Sequence, residues 1–135
     1  MTGVENTAIR CVGAITRNSA GRLLLVRRGH DPHRGRWSIP GGRVEAGETD
    51  SDALRREMIE ETALRVSVGA RVGWVLRGGF EIHDYACTVE SGQARAGDDA
   101  AELRWVSDAE FGEMDAADEL VPRLAESLRD WGIVP

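Results

Sequence analysis

The sequence lacks several features that would assign it to a broad class of protein. Its 135 residues include two cysteines, four prolines and few aromatic residues. No apolar run approaches the roughly 20 residues of a transmembrane helix, and residues 1–6 have neither the basic start nor the apolar stretch of a signal peptide. We therefore expect a soluble, cytoplasmic protein with no membrane partner.

Cysteine is scarce in this chain, and lysine is missing altogether. Cys11 and Cys87 lie in apolar segments that are typical of strands, which favours buried thiols over a disulfide or a metal-binding pair. Lysine is absent, so all 17 basic residues are arginines. We treat the missing lysine as a matter of composition and attach no function to it.

An excess of positive charge is also missing, because the formal net charge is −6. Proteins that hold nucleic acid polymers do so mainly through clustered basic residues, so the charge argues against such a partner. A small phosphorylated ligand remains compatible with an acidic protein where metal ions and local arginines supply positive charge.

Acidic residues, by contrast, are concentrated in one segment that has the pattern of a helix. Thr49 or Asp50 can cap its N-terminus, and only helix-compatible residues follow to about Glu61. Leu54 and Met58 are four residues apart and form an apolar face toward a core. The sequence therefore predicts a helix of about three turns.

Three glutamates of this helix, Glu57, Glu60 and Glu61, share one side because they are spaced at i, i+3 and i+4. Like charges at this spacing repel, and the single Arg56, four residues before Glu60, cannot offset all three. Mg²⁺ or Mn²⁺ would neutralise them through oxygen ligands and keep open positions for water or phosphate. The pattern predicts a metal site.

The segment resembles the box of the Nudix hydrolases, G-x5-E-x7-R-E-U-x-E-E-x-G-U, where U is a bulky aliphatic residue. The matching residues are Gly42, Glu48, Arg56, Glu57, Met58, Glu60, Glu61 and Leu64. Ala63 stands where the family usually has glycine, which serves the turn after the helix. The lead-in 37–42 and the segment 102–106 also resemble the family, so the likeness covers nearly the whole chain.

The resemblance implies an α/β protein with the Nudix-type α/β/α sandwich, in which a mixed sheet lies between helices. It implies one domain over residues 1–135, with the box at 42–64. It also implies roles for individual residues: metal ligands at Glu57, Glu60, Glu61 and the Gly41 carbonyl, a supporting ligand at Glu48, and an arginine, Arg56, that orients the glutamates.

The strand pattern outside the box is less regular. Segments 7–16 and 22–27 have the pattern of a β-hairpin, and 64–76 predicts a strand with a break near Gly69. Gly78 and Gly79 turn the chain into a returning strand at 80–89, and 101–106 is a further strand. Apolar residues at helical spacing within 118–131 predict a second helix, where Trp131 serves packing rather than base stacking.

The general base has several candidates. In some Nudix enzymes it belongs to the box, as Glu57 would here, and in others to a later loop. Asp98, Asp99 and Glu102 are the later acids in this chain. We favour Glu102 among these three because it begins the strand that faces the site in this fold.

Recognition of the substrate is the least defined feature. Arg27 and Arg36 are our candidate substrate-binding residues, because guanidinium groups pair bidentately with phosphate. The resemblance is strongest to enzymes that cleave a nucleoside diphosphate linked to another moiety, such as ADP-ribose. The alternatives are a triphosphate pyrophosphatase that clears oxidised nucleotides and a non-catalytic nucleotide sensor. A homodimer is compatible with each alternative.

Overall fold

A computed structural model of the chain describes residues 8–97 and 100–135, and its helices and strands confirm the predicted α/β class. In chain order they are β1 (Ile9–Thr16), β2 (Leu23–Arg28), β3 (Trp37–Ser38), β4 (Gly41–Arg43), α1 (Asp50–Thr62), β5 (Arg65–Arg77), β6 (Phe80–Ser91), β7 (Ala100–Val106), α2 (Asp108–Ala116) and α3 (Leu124–Asp130). Among the described residues, no helix is both long and apolar enough to cross a membrane.

The strands form two sheets. The larger sheet has the order β4-β1-β6-β5 and is mixed, because β1 runs parallel to β6 while the other pairs are antiparallel. The smaller sheet, in the order β3-β2-β7, is antiparallel.

The predicted hairpin of segments 7–16 and 22–27 is wrong, because β1 and β2 belong to different sheets. Only an isolated bridge between Arg17 and Leu23 joins them within the described part of the chain. Both edges of β1 are occupied, one by β4 and the other by β6. No edge of β1 is left for β2.

Two apolar cores lie on opposite faces of the strands. On one face, Val12 and Leu24 pack against Leu54 and Met58 of α1, which confirms the predicted apolar face of that helix. On the other face, Ile15, Leu23, Leu25 and Trp37 pack with residues of α2 and α3. Alternation along β1 and β2 explains how each strand serves both cores.

The hairpin of β5 and β6 follows the sequence prediction closely. Gly78 and Gly79 adopt φ values of 58° and 83° at its turn. The predicted break near Gly69 is a shift of register between Val68 and Arg71. An extra residue at such a shift bends the strand without ending it.

The C-terminal region differs from the prediction in two respects. The helix expected within 118–131 begins only at Leu124, because Pro122 interrupts it and residues 119–121 run beside β3, where Trp37 exchanges backbone hydrogen bonds with Glu119 and Val121. Helix α2 was not predicted, although Ser107 and Glu110 form a capping box at its start.

Candidate active site

Helix α1 carries the box glutamates and is fixed at both ends. At its start, the Thr49 hydroxyl accepts a hydrogen bond from the Asp52 amide, and the Asp52 carboxylate accepts one from the Thr49 amide. At its end, Ala63 adopts the left-handed conformation with φ 61° and ψ 18°. The chain therefore makes the turn that glycine usually makes, and the following strand β5 can leave the helix.

Arg56 lies at the centre of the acidic cluster. It donates a bidentate pair of hydrogen bonds to Glu48, at 2.8 and 2.9 Å, and further bonds to Glu57 at 2.8 Å and Glu60 at 3.3 Å. It also donates to the carbonyl of Arg43, at 3.0 Å, and forms a longer ion pair with Glu45, at 3.8 Å. One guanidinium thus connects the loop, the helix and β4.

These bonds hold Glu48 in its ionised form. The Arg56 guanidinium, helped by the Glu45 amide, lowers the pKa of Glu48 to about 2. Glu48 and Glu57 are mostly covered, with side chains 18% and 15% exposed, whereas the Glu60 side chain is 57% exposed. Glu60 is therefore the carboxylate that most easily turns away from Arg56.

The glycine-rich turn comes very close to the helix. The Gly41 amide donates a hydrogen bond to the Glu61 carboxylate at 3.3 Å. A Cβ atom on Gly42 would lie 2.5 Å from the carboxyl group of Glu57, so the glycine leaves room for this carboxyl group beside β4. The backbone of the turn and the carboxylates of α1 therefore share one small volume at the edge of the larger sheet.

The donor set of this volume is chemically suited to a hard divalent cation, since it consists of carboxylates and backbone groups. In the geometry observed, no three histidine, cysteine or acidic side chains among the described residues are arranged as a metal-ligand group. The oxygens of Glu48, Glu57 and Glu60 face Arg56, while an oxygen of Glu61 faces the Gly41 amide. Binding a cation therefore requires these carboxylates to exchange partners.

Glu102, our favoured later acid, lies on another part of the surface. It pairs with Arg27 across β2 and β7, at 3.6 Å, and its side chain is 55% exposed. Leu103 and Trp105, its neighbours in alternation, pack on the α1 side, so Glu102 projects from the opposite face. Asp98 and Asp99 lie outside the described residues.

Arg36 is engaged by the protein itself. It makes a bidentate pair with Asp118, at 2.8 and 3.1 Å, and also donates to the carbonyls of Asp118 and Leu120. These bonds attach residues 118–120 to the start of β3. Arg27 and Arg36 line a shared surface cavity of about 440 Å³ with Arg34 and Trp37.

The loop after β6 is fastened to the end of α1. The amides of Arg95 and Gly97 donate to the carbonyls of Thr62 and Glu61, at 2.8 and 2.9 Å. Since these carbonyls belong to the last turn of the helix, the loop satisfies groups that a helix end leaves unpaired. The sequence alone does not show this contact between the loop and the box.

Sequence reasoning assigned no role to two further groups that the structure makes prominent. Arg10 on β1 forms a bidentate pair with Asp50, at 2.6 and 2.7 Å, and the Tyr85 hydroxyl also donates to Asp50, so the first turn of α1 is tied to the larger sheet. The second group is Asp84, which is 5% exposed and whose pKa burial raises to about 6. No local motif marks either group, because both depend on which strands are neighbours.

Comparison with known proteins places this geometry in context. The NUDIX domain model matches residues 7–131. A relative from Mycobacterium tuberculosis, named "Putative 8-oxo-dGTP diphosphatase 2", is 41% identical over 109 residues, which cover 76% of this chain and 75% of the relative. An ADP-ribose pyrophosphatase from Methanocaldococcus jannaschii is 36% identical over 90 residues, covering 62% of this chain and 53% of that protein.

The fold is also similar to those of solved structures. The crystal structure of a MutT protein from Methanosarcina mazei Go1 superposes with a TM-score of 0.73 at 25% identity, covering 96% of this chain and 93% of that one. A NUDIX hydrolase from Nitrosomonas europaea reaches a TM-score of 0.79 at 21% identity, covering 90% and 68%.

Proposed function

The chain belongs to the NUDIX domain family and is a Nudix hydrolase acting on nucleotides, and we propose that it cleaves a pyrophosphate bond with Mg²⁺ or Mn²⁺ as cofactor. Water attacks one phosphorus, and the bond from that phosphorus to the bridging oxygen breaks. The products are a nucleoside monophosphate and the remaining phosphorylated group. A cytoplasmic location is part of the same proposal.

The observation that carries the proposal is the convergence of Glu48, Glu57 and Glu60 on Arg56, while Glu61 contacts the Gly41 amide of the adjacent glycine turn. Glu57, Glu60 and Glu61 would hold the cation together with the Gly41 carbonyl, and Glu48 would support them from its place on Arg56. When bound there, the cation lowers the pKa of a water ligand and neutralises charge on phosphoryl oxygens. Arg56 orients the carboxylates without contacting the substrate.

Two glutamates are proposed as the general base. Glu57 lies against the glycine turn, where the attacking water would be held, and Glu102 lies beside Arg27 on the opposite strand face. The position of Glu57 favours it. Glu102 and Arg27, which form an exposed pair, are better placed to meet the distal part of a substrate.

The relatives favour a nucleoside triphosphate over ADP-ribose as the substrate. The matched part of the 8-oxo-dGTP diphosphatase relative covers three quarters of both chains, whereas that of the ADP-ribose pyrophosphatase covers about half of the latter. We therefore place an oxidised guanine nucleotide first and ADP-ribose second, which reverses the order taken from the sequence. A non-catalytic sensor is disfavoured because Glu57, Glu60 and Glu61 are all present.

The proposal is tested by incubating the protein with Mg²⁺ and 8-oxo-dGTP, dGTP, dATP or ADP-ribose, with phosphorylated products measured. Glu61→Gln should abolish turnover and leave the circular dichroism spectrum unchanged, because an amide oxygen is a poorer ligand for a hard cation. Glu113→Gln, on the exposed side of α2, is the matched control and should retain activity. Full activity of Glu61→Gln would contradict the metal assignment, and no turnover by the wild-type protein would contradict the proposed reaction.

A further inference from the structure

A row of glycines crosses the larger sheet. On β1, Gly13 is paired with Gly41 of β4 on one side and with Asp84 of β6 on the other, and Asp84 is paired in turn with Gly73 of β5. Residues directly opposite each other project from the same face of a sheet. Asp84 therefore carries the single side chain in a row whose other three members have none.

The missing side chains make room for this carboxyl group. A Cβ atom on Gly13 would collide with Oδ1 of Asp84 and lie 2.8 Å from Cδ1 of Ile39, while one on Gly73 would collide with the indole of Trp131. The Asp84 carboxyl group thus leans over β1, toward Gly41. Ile39 and Trp131, whose side chains fill the space beside Gly13 and Gly73, are themselves only half-buried.

One oxygen of this carboxyl group lacks a hydrogen-bond partner in the described part of the chain, although the positive charge of nearby Arg77 partly offsets the burial of the acid. Oδ1 of Asp84 is buried and has no hydrogen-bond partner among residues 8–97 and 100–135, and the same holds for Nε of the neighbouring Arg77. The other end of the Arg77 guanidinium reaches the Ser127 hydroxyl of α3, at 3.3 Å. Buried polar atoms nearly always have partners, so an acceptor left open in this way indicates a donor supplied by a ligand or a water molecule.

The position of Asp84 relative to the box identifies the part of a substrate that would meet it. Gly41, whose amide contacts Glu61, is two strands away from Asp84 in the same row, or about 10 Å at the usual strand spacing. That separation is comparable to the length of a nucleoside. A nucleotide with its phosphates at the box that passes around the sheet edge to the opposite face would therefore place its base at the Asp84 carboxyl group.

We propose that Asp84 is a specificity-determining residue that accepts hydrogen bonds from the base of the nucleotide and selects guanine-type over adenine-type bases. The inference rests on the proposed function and deepens it. A carboxylate offers two acceptors side by side, which match the N1–H and N2 amino donors of guanine and 8-oxoguanine. Adenine presents an amino donor beside the lone pair of N1, and this lone pair would face a carboxylate oxygen.

The test compares the kcat/KM of the wild-type protein and of Asp84→Asn on dGTP, 8-oxo-dGTP and dATP. Asparagine keeps the shape but offers one acceptor and one donor, which is the complement of adenine. We expect kcat/KM to fall about 10- to 100-fold on both guanine nucleotides, because a charged hydrogen bond is lost, and to stay unchanged or rise on dATP. An equal loss on all three nucleotides would show a purely structural role and overturn the proposal.

Ser127→Ala is the matched control, since it disturbs the same buried region through Arg77 but leaves the carboxyl group in place. It should leave the ratio of kcat/KM for dGTP and dATP unchanged, and a change as large as that of Asp84→Asn would overturn the proposal. Wild-type protein that hydrolyses dGTP and dATP equally well would overturn it while leaving the proposed reaction intact.

A binding measurement separates failure of the proposed reaction from failure of the proposal for Asp84. If the wild-type protein hydrolyses none of the nucleotides, the proposed function fails, and calorimetric titration with the same nucleotides still tests Asp84. In that titration, weaker binding of dGTP alone to Asp84→Asn supports the specificity role, and unchanged dGTP binding overturns it.

Discussion

At the scale of single residues, Ala63 is the point where the box departs from the usual family pattern. Its φ of 61° lies in the left-handed region, where a Cβ atom is strained and glycine is not. The Ala63 amide still donates to the Ile59 carbonyl, at 3.0 Å, so the helix ends with the expected hydrogen bond. Alanine at this position therefore costs backbone conformational energy, while the hydrogen bond at the helix end is kept.

Replacing Ala63 with glycine should therefore stabilise the protein. We expect Ala63→Gly to raise the free energy of unfolding by about 0.5–1 kcal/mol, the size of the left-handed penalty less the loss of a half-buried methyl group. Urea denaturation measures the change. Ala109→Gly, at an exposed position of α2, is the control and should have the opposite sign. Destabilisation by both variants would contradict the account of Ala63.

The residues of the box were predictable because their arrangement depends only on their spacing along one helix. Helical spacing places Glu57, Glu60 and Glu61 together in any structure that forms this helix, and Arg56 follows from the same pattern. Asp84 was not predictable as an unsatisfied acid, since its neighbour Gly13 comes from β1, whose pairing with β6 the sequence does not show. The hydrogen bonds of Arg36 to residue 118 were missed for the same reason.

At the scale of elements, the loop over residues 92–97 and the end of α1 form one unit. Gly97 passes so close to the last turn that a Cβ atom there would collide with the Glu60 carbonyl and lie 3.3 Å from the Glu61 Cα atom. Both glutamates are proposed metal ligands. The loop therefore contacts the backbone of the segment whose side chains carry the chemistry.

Gly97→Ala should separate this loop from the helix. We expect the free energy of unfolding to fall by about 1–3 kcal/mol, because the hydrogen bond from the Gly97 amide to the Glu61 carbonyl is lost and the obstacle is rigid backbone. Hydrolytic activity should fall as well. Gly112→Ala is the matched control: no atom lies within 4 Å of its added methyl group, so it should stabilise α2 by about 0.5–1 kcal/mol. Wild-type stability in Gly97→Ala would contradict the docking of the loop.

The predictions of helices and strands were wrong where the structure of a segment depends on pairing with a strand that is distant in sequence. Segments 7–16 and 22–27 are adjacent and strand-like, which favours a hairpin locally, but β6 competes for the same edge of β1 and forms eight paired positions with it. Residues 118–123 have apolar spacing compatible with a helix, yet their backbone pairs with β3 instead. The β5–β6 hairpin was predicted well because a two-glycine turn specifies it locally.

At the scale of the whole molecule, the proposed metal ligands and the proposed base-binding residue lie on opposite faces of the larger sheet. Helix α1 and its glutamates lie on one face, and Asp84 faces the core on the other. The short strand β4 carries residues of both the box and the glycine row, and it lies at the edge of the described sheet. A nucleotide that reaches both regions must therefore pass around this edge.

The binding of a divalent cation at that edge should stabilise the entire fold. A ligand that binds only the native state adds about 2.7 kcal/mol at a concentration 100 times its Kd, and here it would also relieve the repulsion among Glu57, Glu60 and Glu61. We expect Mg²⁺ to raise the Tm of the wild-type protein in a concentration-dependent manner, as measured by calorimetry.

Glu61→Gln distinguishes this effect from general salt screening. Without Mg²⁺ the variant should be as stable as the wild-type protein or slightly more stable, because a like-charge pair on a helix costs about 0.2–0.5 kcal/mol. With Mg²⁺ its Tm should rise much less, since one ligand is weakened. Equal increases in the two proteins would assign the stabilisation to ionic strength and remove the cation from the Glu61 site.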